Sequence, residues 1–184
     1  MGEGSNICGG CFLEKNLFDG SFFLFPYEDC GKALVQSVKF KDRVEYLAVI
    51  DYFEREISEF LDKYSPDCIT YVPSSLFHFL QRGYTVPARL ARLLSVKYAI
   101  PFEKLVYAGK IYKKSLFKTN SPAERKKIVK DFFKVKRGKK FKSVLVVDDV
   151  FTTGTTVNRV CGLLKKEKIA EKVFVFTLAR VLKK

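Results

Sequence analysis

Apolar positions along the chain fall into blocks with two different periods. Phe18 to Tyr27 is an aromatic-rich stretch that reads as a strand. From about residue 42, Val44, Leu47, Ala48, Ile57, Phe60 and Leu61 recur at roughly helical spacing up to Tyr64, and Ser65-Pro66-Asp67 breaks the pattern. Residues 68–72 form a short buried strand that ends at Pro73. A second helical pattern, interrupted by Gly83, covers about 76–98. Pro101 opens a strand around 103–107, followed by the basic segment Lys110–Lys118. Ser121-Pro122-Ala123-Glu124 then has the composition of a helix start: a capping hydroxyl, a proline where the missing N–H costs nothing, and an acid three residues beyond the cap.

The rest of the chain predicts a strand at Phe132–Val135, a turn at Arg137-Gly138-Lys139-Lys140, and a strand of almost pure Val and Leu at Ser143–Asp148. A helix from about Thr155 to Lys168 and a last buried strand at Val173–Leu178 complete it. Strand, helix, strand with continuous apolar strands is the pattern of a parallel sheet covered by helices on both faces, an α/β fold. Residues 1–40 read as a small N-terminal appendage, and 41–184 as the α/β domain.

Composition narrows the class. A chain of 184 residues with 47% hydrophobic positions is one globular domain and not a disordered one. No apolar run approaches the ~18 residues of a membrane span, and the first residues lack the basic start and apolar stretch of a signal peptide. The expected location is cytoplasmic. With 34 Lys+Arg against 20 Asp+Glu, the net charge of +14 favours an anionic partner: a phosphorylated metabolite, a nucleic acid or an acidic membrane surface. A lysine-rich solvated surface accounts for the same number. Five irregularly spaced cysteines argue against a disulfide framework. Cys68 and Cys161 sit in apolar patterns and read as core residues, leaving Cys8-Gly-Gly-Cys11 as a candidate metal half-site.

One segment carries chemistry: Val144-Leu145-Val146-Val147-Asp148-Asp149-Val150-Phe151-Thr152-Thr153-Gly154-Thr155-Thr156. A buried parallel strand delivers two adjacent carboxylates to its C-terminal end, where open α/β sheets bind ligands. A hydroxyl-rich loop then opens a helix, whose unsatisfied N–H groups and dipole favour an anion. Thr152, Thr153, Thr155 and Thr156 add donors, and Gly154 lets the backbone approach. Carboxylates beside a phosphate site suit sugar hydroxyls or Mg²⁺. The inferred ligand is a phosphorylated sugar.

This segment resembles the phosphoribosyl-pyrophosphate (PRPP) motif of type I phosphoribosyltransferases. That resemblance implies a parallel-sheet phosphoribosyltransferase-like core in which Asp148 and Asp149 contact the ribose hydroxyls with Mg²⁺, while Thr152, Thr153, Gly154, Thr155 and Thr156 hold the 5′-phosphate. Asp67 to Ser75, Gln81-Arg82-Gly83-Tyr84, Tyr27 to Lys39, Ser121 to Val135 and the ending Phe176-Thr177-Leu178-Ala179-Arg180 are similar to the competence protein F family. The resemblance assigns the pyrophosphate to Pro73, Ser74 and Ser75, and makes Lys113, Lys114, Lys118 and Arg125 cations of a mobile loop.

Competence protein F proteins usually begin with two CxxC pairs that form a zinc site. Cys8 and Cys11 are similar to the second pair only, so the expectation is a partial Zn²⁺ site: either a first pair has been lost from the start or the finger has decayed. The family's Asn-Gln after Arg-Gly-aromatic is replaced by Thr85-Val86. Purine-type transferases carry a carboxylate where Thr152 stands, which disfavours purine salvage. The expectation is therefore a protein that binds PRPP and Mg²⁺, with transfer of the phosphoribosyl group to an acceptor the sequence does not identify. The alternative is a non-catalytic competence accessory protein in DNA uptake, which holds single-stranded DNA or a competence-machinery protein. Self-association is left open.

Overall fold

The computed structural model describes residues 16–41, 43–73, 85–108 and 133–182. Four parallel strands form the central sheet: β1 (Gly20–Pro26), β2 (Cys68–Tyr71), β5 (Phe141–Phe151) and β6 (Ala170–Arg180), in the order β1-β6-β5-β2. A parallel bridge from Ile69 to Phe102 extends the β2 side. A separate antiparallel ribbon pairs β3 (Val106–Ala108) with β4 (Phe133–Val135).

Alternation along the strands sends side chains into two cores. Leu145 and Val147 of β5, with Phe174 and Phe176 of β6, face α1 (Asp29–Phe40), a 3₁₀ helix (Val44–Asp51), α2 (Glu54–Tyr64) and α3 (Val86–Lys97). Val144, Val146, Val173 and Val175 face α4 (Thr155–Lys166) and the β3–β4 ribbon. Strands buried on both faces explain the unbroken apolar runs. Among the described residues no helix is long and apolar enough to cross a membrane.

The structure corrects the sequence reading in three places. A single helical pattern from 42 to 64 resolves into two helices, because Val44, Leu47 and Ile50 repeat every three residues, the period of a 3₁₀ turn. Residues 29–40, given no helix from sequence, form α1, with Val35 and Val38 fully inside the core. Gly31 permits its start, since a Cβ there would collide with the Pro26 carbonyl at the end of β1. The packing also does not divide at residue 40. β1 pairs with β6 from Gly20 to Pro26, and α1 packs on β1, β6 and the 3₁₀ helix. Sheet and core therefore run across the expected boundary between 1–40 and 41–184.

Candidate functional site

β2 and β5 run side by side until the Val72 N–H donates to the Val147 carbonyl at 2.9 Å. There β2 stops, whereas β5 continues to Phe151 beside β6. Asp148 and Asp149 thus lie where β5 has lost its β2 neighbour, at the carboxyl edge of the sheet, with Pro73 following on from β2. The strand runs further than Ser143–Asp148 because its ladder partners, Val150 with Ala179 and Phe151 with Arg180, persist beyond the acids.

The two carboxylates are held differently. Oδ1 of Asp148 accepts the Asp149 N–H at 2.9 Å. Asp149 points its Oδ2 at the Lys39 ammonium, 2.8 Å away, with only 13% of its side chain exposed. Burial, and then the negative charge of Asp149, push the Asp148 carboxyl well above the usual carboxylate range; the bond from the Asp149 N–H and the charge of Lys39 oppose the shift.

Beyond Phe151 the chain turns through Thr152, Thr153 and Gly154 into α4. Gly154 is its N-cap, with φ +73°, a left-handed conformation open to glycine. No side chain caps the helix and no acid lies in its first turn, so its amide donors and dipole are available to an anion. Thr152, Thr153, Thr155 and Thr156 are exposed around it, and the Thr153 and Thr155 hydroxyls share a hydrogen bond at 2.9 Å. Phe151 anchors the turn from below, its ring centroid 4.9 Å from the Arg180 guanidinium, which also lies 5.7 Å from the ring of Phe23. The arrangement offers hydrogen-bond acceptors for hydroxyls beside donors for a phosphate.

The structure thus brings Pro73, Asp148, Asp149 and residues 152–156 to one edge. Ser74, Ser75, Lys113, Lys114, Lys118, Arg125, Cys8 and Cys11 lie outside the described residues. Among the described residues, no group of three or more His, Cys, Asp or Glu comes together as a metal site.

Comparison with known proteins gives the family. The phosphoribosyl transferase domain family matches residues 51–184. Competence protein F of Haemophilus influenzae is 30% identical over 188 residues, covering 94% of this chain and 78% of that protein. The chain belongs to the phosphoribosyltransferase family, in its competence protein F-like branch. Solved structures similar to this phosphoribosyltransferase-like chain include an allosteric regulatory enzyme of purine biosynthesis (25% identity, TM-score 0.41), of which the chain spans only 21% while 60% of this chain is covered. A purine phosphoribosyltransferase from Pyrococcus horikoshii is 20% identical with TM-score 0.38, covering 71% of this chain and 82% of its own. An adenine phosphoribosyltransferase from Leishmania donovani is 15% identical with TM-score 0.40, covering 87% and 83%.

The residue that sequence reading missed in this phosphoribosyltransferase-like site is Lys39. It precedes the family-matched region and sits in the last turn of α1. The Leu34, Val35, Val38 stripe was the available signal for that helix.

Proposed function

We propose that the site binds PRPP with Mg²⁺ and passes the phosphoribosyl group to a nucleophilic acceptor. What supports this most is the shared edge, where two carboxylates on β5 are followed at once by the uncapped N-terminus of α4. Asp148 and Asp149 would accept hydrogen bonds from the ribose hydroxyls. The amides and threonines of 152–156 would hold the 5′-phosphate, and the turn at Pro73, Ser74 and Ser75 would take the pyrophosphate. The bond from the anomeric carbon to pyrophosphate breaks, and its electron pair leaves with pyrophosphate. The acceptor's lone pair forms the new bond, and its proton goes to solvent. Positioning and charge neutralisation supply the catalysis, with Lys113, Lys114, Lys118 and Arg125 as the loop cations.

Magnesium fits as an ion carried by the substrate, since it takes one or two carboxylates and otherwise keeps water and phosphate oxygens. Asp148 and Asp149 are the oxygen donors that would hold it, and it would neutralise charge on the departing pyrophosphate. Thr152 cannot act as a base near neutral pH, which argues against a purine acceptor. Any zinc held by Cys8 and Cys11 would be sub-stoichiometric or shared between two chains, and elemental analysis giving one tightly held zinc per chain would overturn this.

The test is thermal unfolding with ligand. PRPP with Mg²⁺ should raise the melting temperature by several degrees, since saturation at ~100 times Kd adds roughly 2.7 kcal/mol. Adenine, guanine or hypoxanthine alone should not. No shift at millimolar PRPP would count against the site.

A second reading is favoured by the opposite edge of the sheet, where exposed Lys140, Lys142 and Lys168 gather with Lys165 at the start of β5 and β6. It is a competence accessory role in which this face holds single-stranded DNA or a competence-machinery protein. Oligonucleotide binding should then fall steeply with salt.

A further inference from the structure

Resting on the reading above, we propose that Lys39 is a ligand-binding residue of the site, with its ammonium bridging Asp149 to a phosphate oxygen of the bound sugar phosphate. A site for a multiply anionic ligand that also contains two carboxylates needs a cation close to those carboxylates, and Lys39 stands 2.8 Å from Asp149. Its mount is rigid, because Val35 and Val38 on the same helix are fully buried. Its place in the last turn of α1 suits a cation, since the helix dipole is negative there.

The exposures of the pair point toward the opening. Asp149 is almost covered, but Lys39 keeps 36% of its side chain in solvent. An ammonium has three N–H donors. Asp149 occupies one among the described residues, which leaves donors for a ligand on the solvent side. α1, which lies ahead of the family-matched region, thereby becomes part of the binding site, and Lys39 offsets the repulsion Asp149 would exert on an incoming phosphate.

Masking Asp149 and contacting the ligand make different predictions. Calorimetry with pyrophosphate in chelator and with Mg²⁺–PRPP on wild type, Lys39→Met, Lys39→Arg and Lys39→Met/Asp149→Asn separates them. Metal-free pyrophosphate has neither ribose nor Mg²⁺, so losing Asp149 costs it no contact. One charge-assisted hydrogen bond is worth on the order of tenfold in affinity or more. Lys39→Met should weaken both ligands by at least that factor, Lys39→Arg should recover part of it, and the double variant should stay weak for pyrophosphate. Full recovery of pyrophosphate in the double variant would overturn ligand contact in favour of masking. Unchanged affinity in Lys39→Met would overturn the proposal while leaving the PRPP reading standing. Failure of wild type to bind either ligand would overturn both.

Discussion

A Cβ placed on Gly154 would stand 2.5 Å from the ring of Phe151. The glycine is thus fixed twice, by its left-handed backbone and by the aromatic ring beneath it. Gly154→Ala should destabilise the protein by at least about 1–3 kcal/mol from backbone strain and weaken the response to PRPP. Gly154→Ala combined with Phe151→Leu should regain some of the PRPP response, because the leucine relieves the clash but not the strained φ. Urea unfolding and ligand-dependent melting check both effects.

Asp148 gives the ligand-free protein a pH dependence. Its carboxyl is raised to about 8 by burial and by Asp149, so between the ordinary value near 4 and that raised one the native state holds a proton the unfolded chain has released. This contribution is full at acid pH and is lost as pH rises through the raised value. Denaturant unfolding in chelator at several pH values should show stability falling toward alkaline pH. Asp148→Asn should flatten that slope while keeping the fold.

The cysteines should differ sharply in reactivity. Burial and then the Glu103 charge push the Cys68 thiol up to about 12, and burial likewise raises Cys161, whereas Cys30 is exposed. An alkylating reagent at pH 8 should label Cys30 in the native protein and reach Cys68 and Cys161 only on unfolding. Peptide mapping by mass spectrometry reads the result.

Asp19 joins β6 to α4: its Oδ2 accepts the Val173 N–H at 2.6 Å and faces the Lys165 ammonium at 2.8 Å. Asp19→Ala leaves that N–H without its acceptor and should cost about 1–2 kcal/mol. Asp19→Asn keeps an acceptor oxygen and should cost less. Melting curves of the two variants decide it.

Val146→Asp places a charge at a fully buried position facing α4 and should abolish the cooperative transition, as read by near-ultraviolet circular dichroism.

The sheet was legible in the sequence because its strands are buried on both sides, so Val144 to Val147 and Val173 to Leu178 carry no competing pattern. The site was legible where chemistry interrupts that apolarity, at Asp148, Asp149 and the threonines. Strand ends were less so, because backbone pairing continues through polar residues such as Asp148 and Arg180. α1 begins with Asp29-Cys30-Gly31, which imitates a turn, and shows a narrow apolar stripe. Nothing local marked Lys39 as a site residue, since a lysine on a helix is normally a solvated one and its ion pair with Asp149 exists only in the folded chain.

The strand order has a consequence for biosynthesis. β6, the last of the described strands in chain order, lies between β1, the first of them, and β5. Until it leaves the ribosome, β1 has no partner in the sheet and the aromatic side chains of Phe22 and Phe25 have no strand beside them. In the central sheet only β2 and β5 can pair before β6 is made, and the sheet closes last at its middle. A sheet truncated before Ala170 would lose its middle rather than its edge, and no backbone ladder would join its two halves.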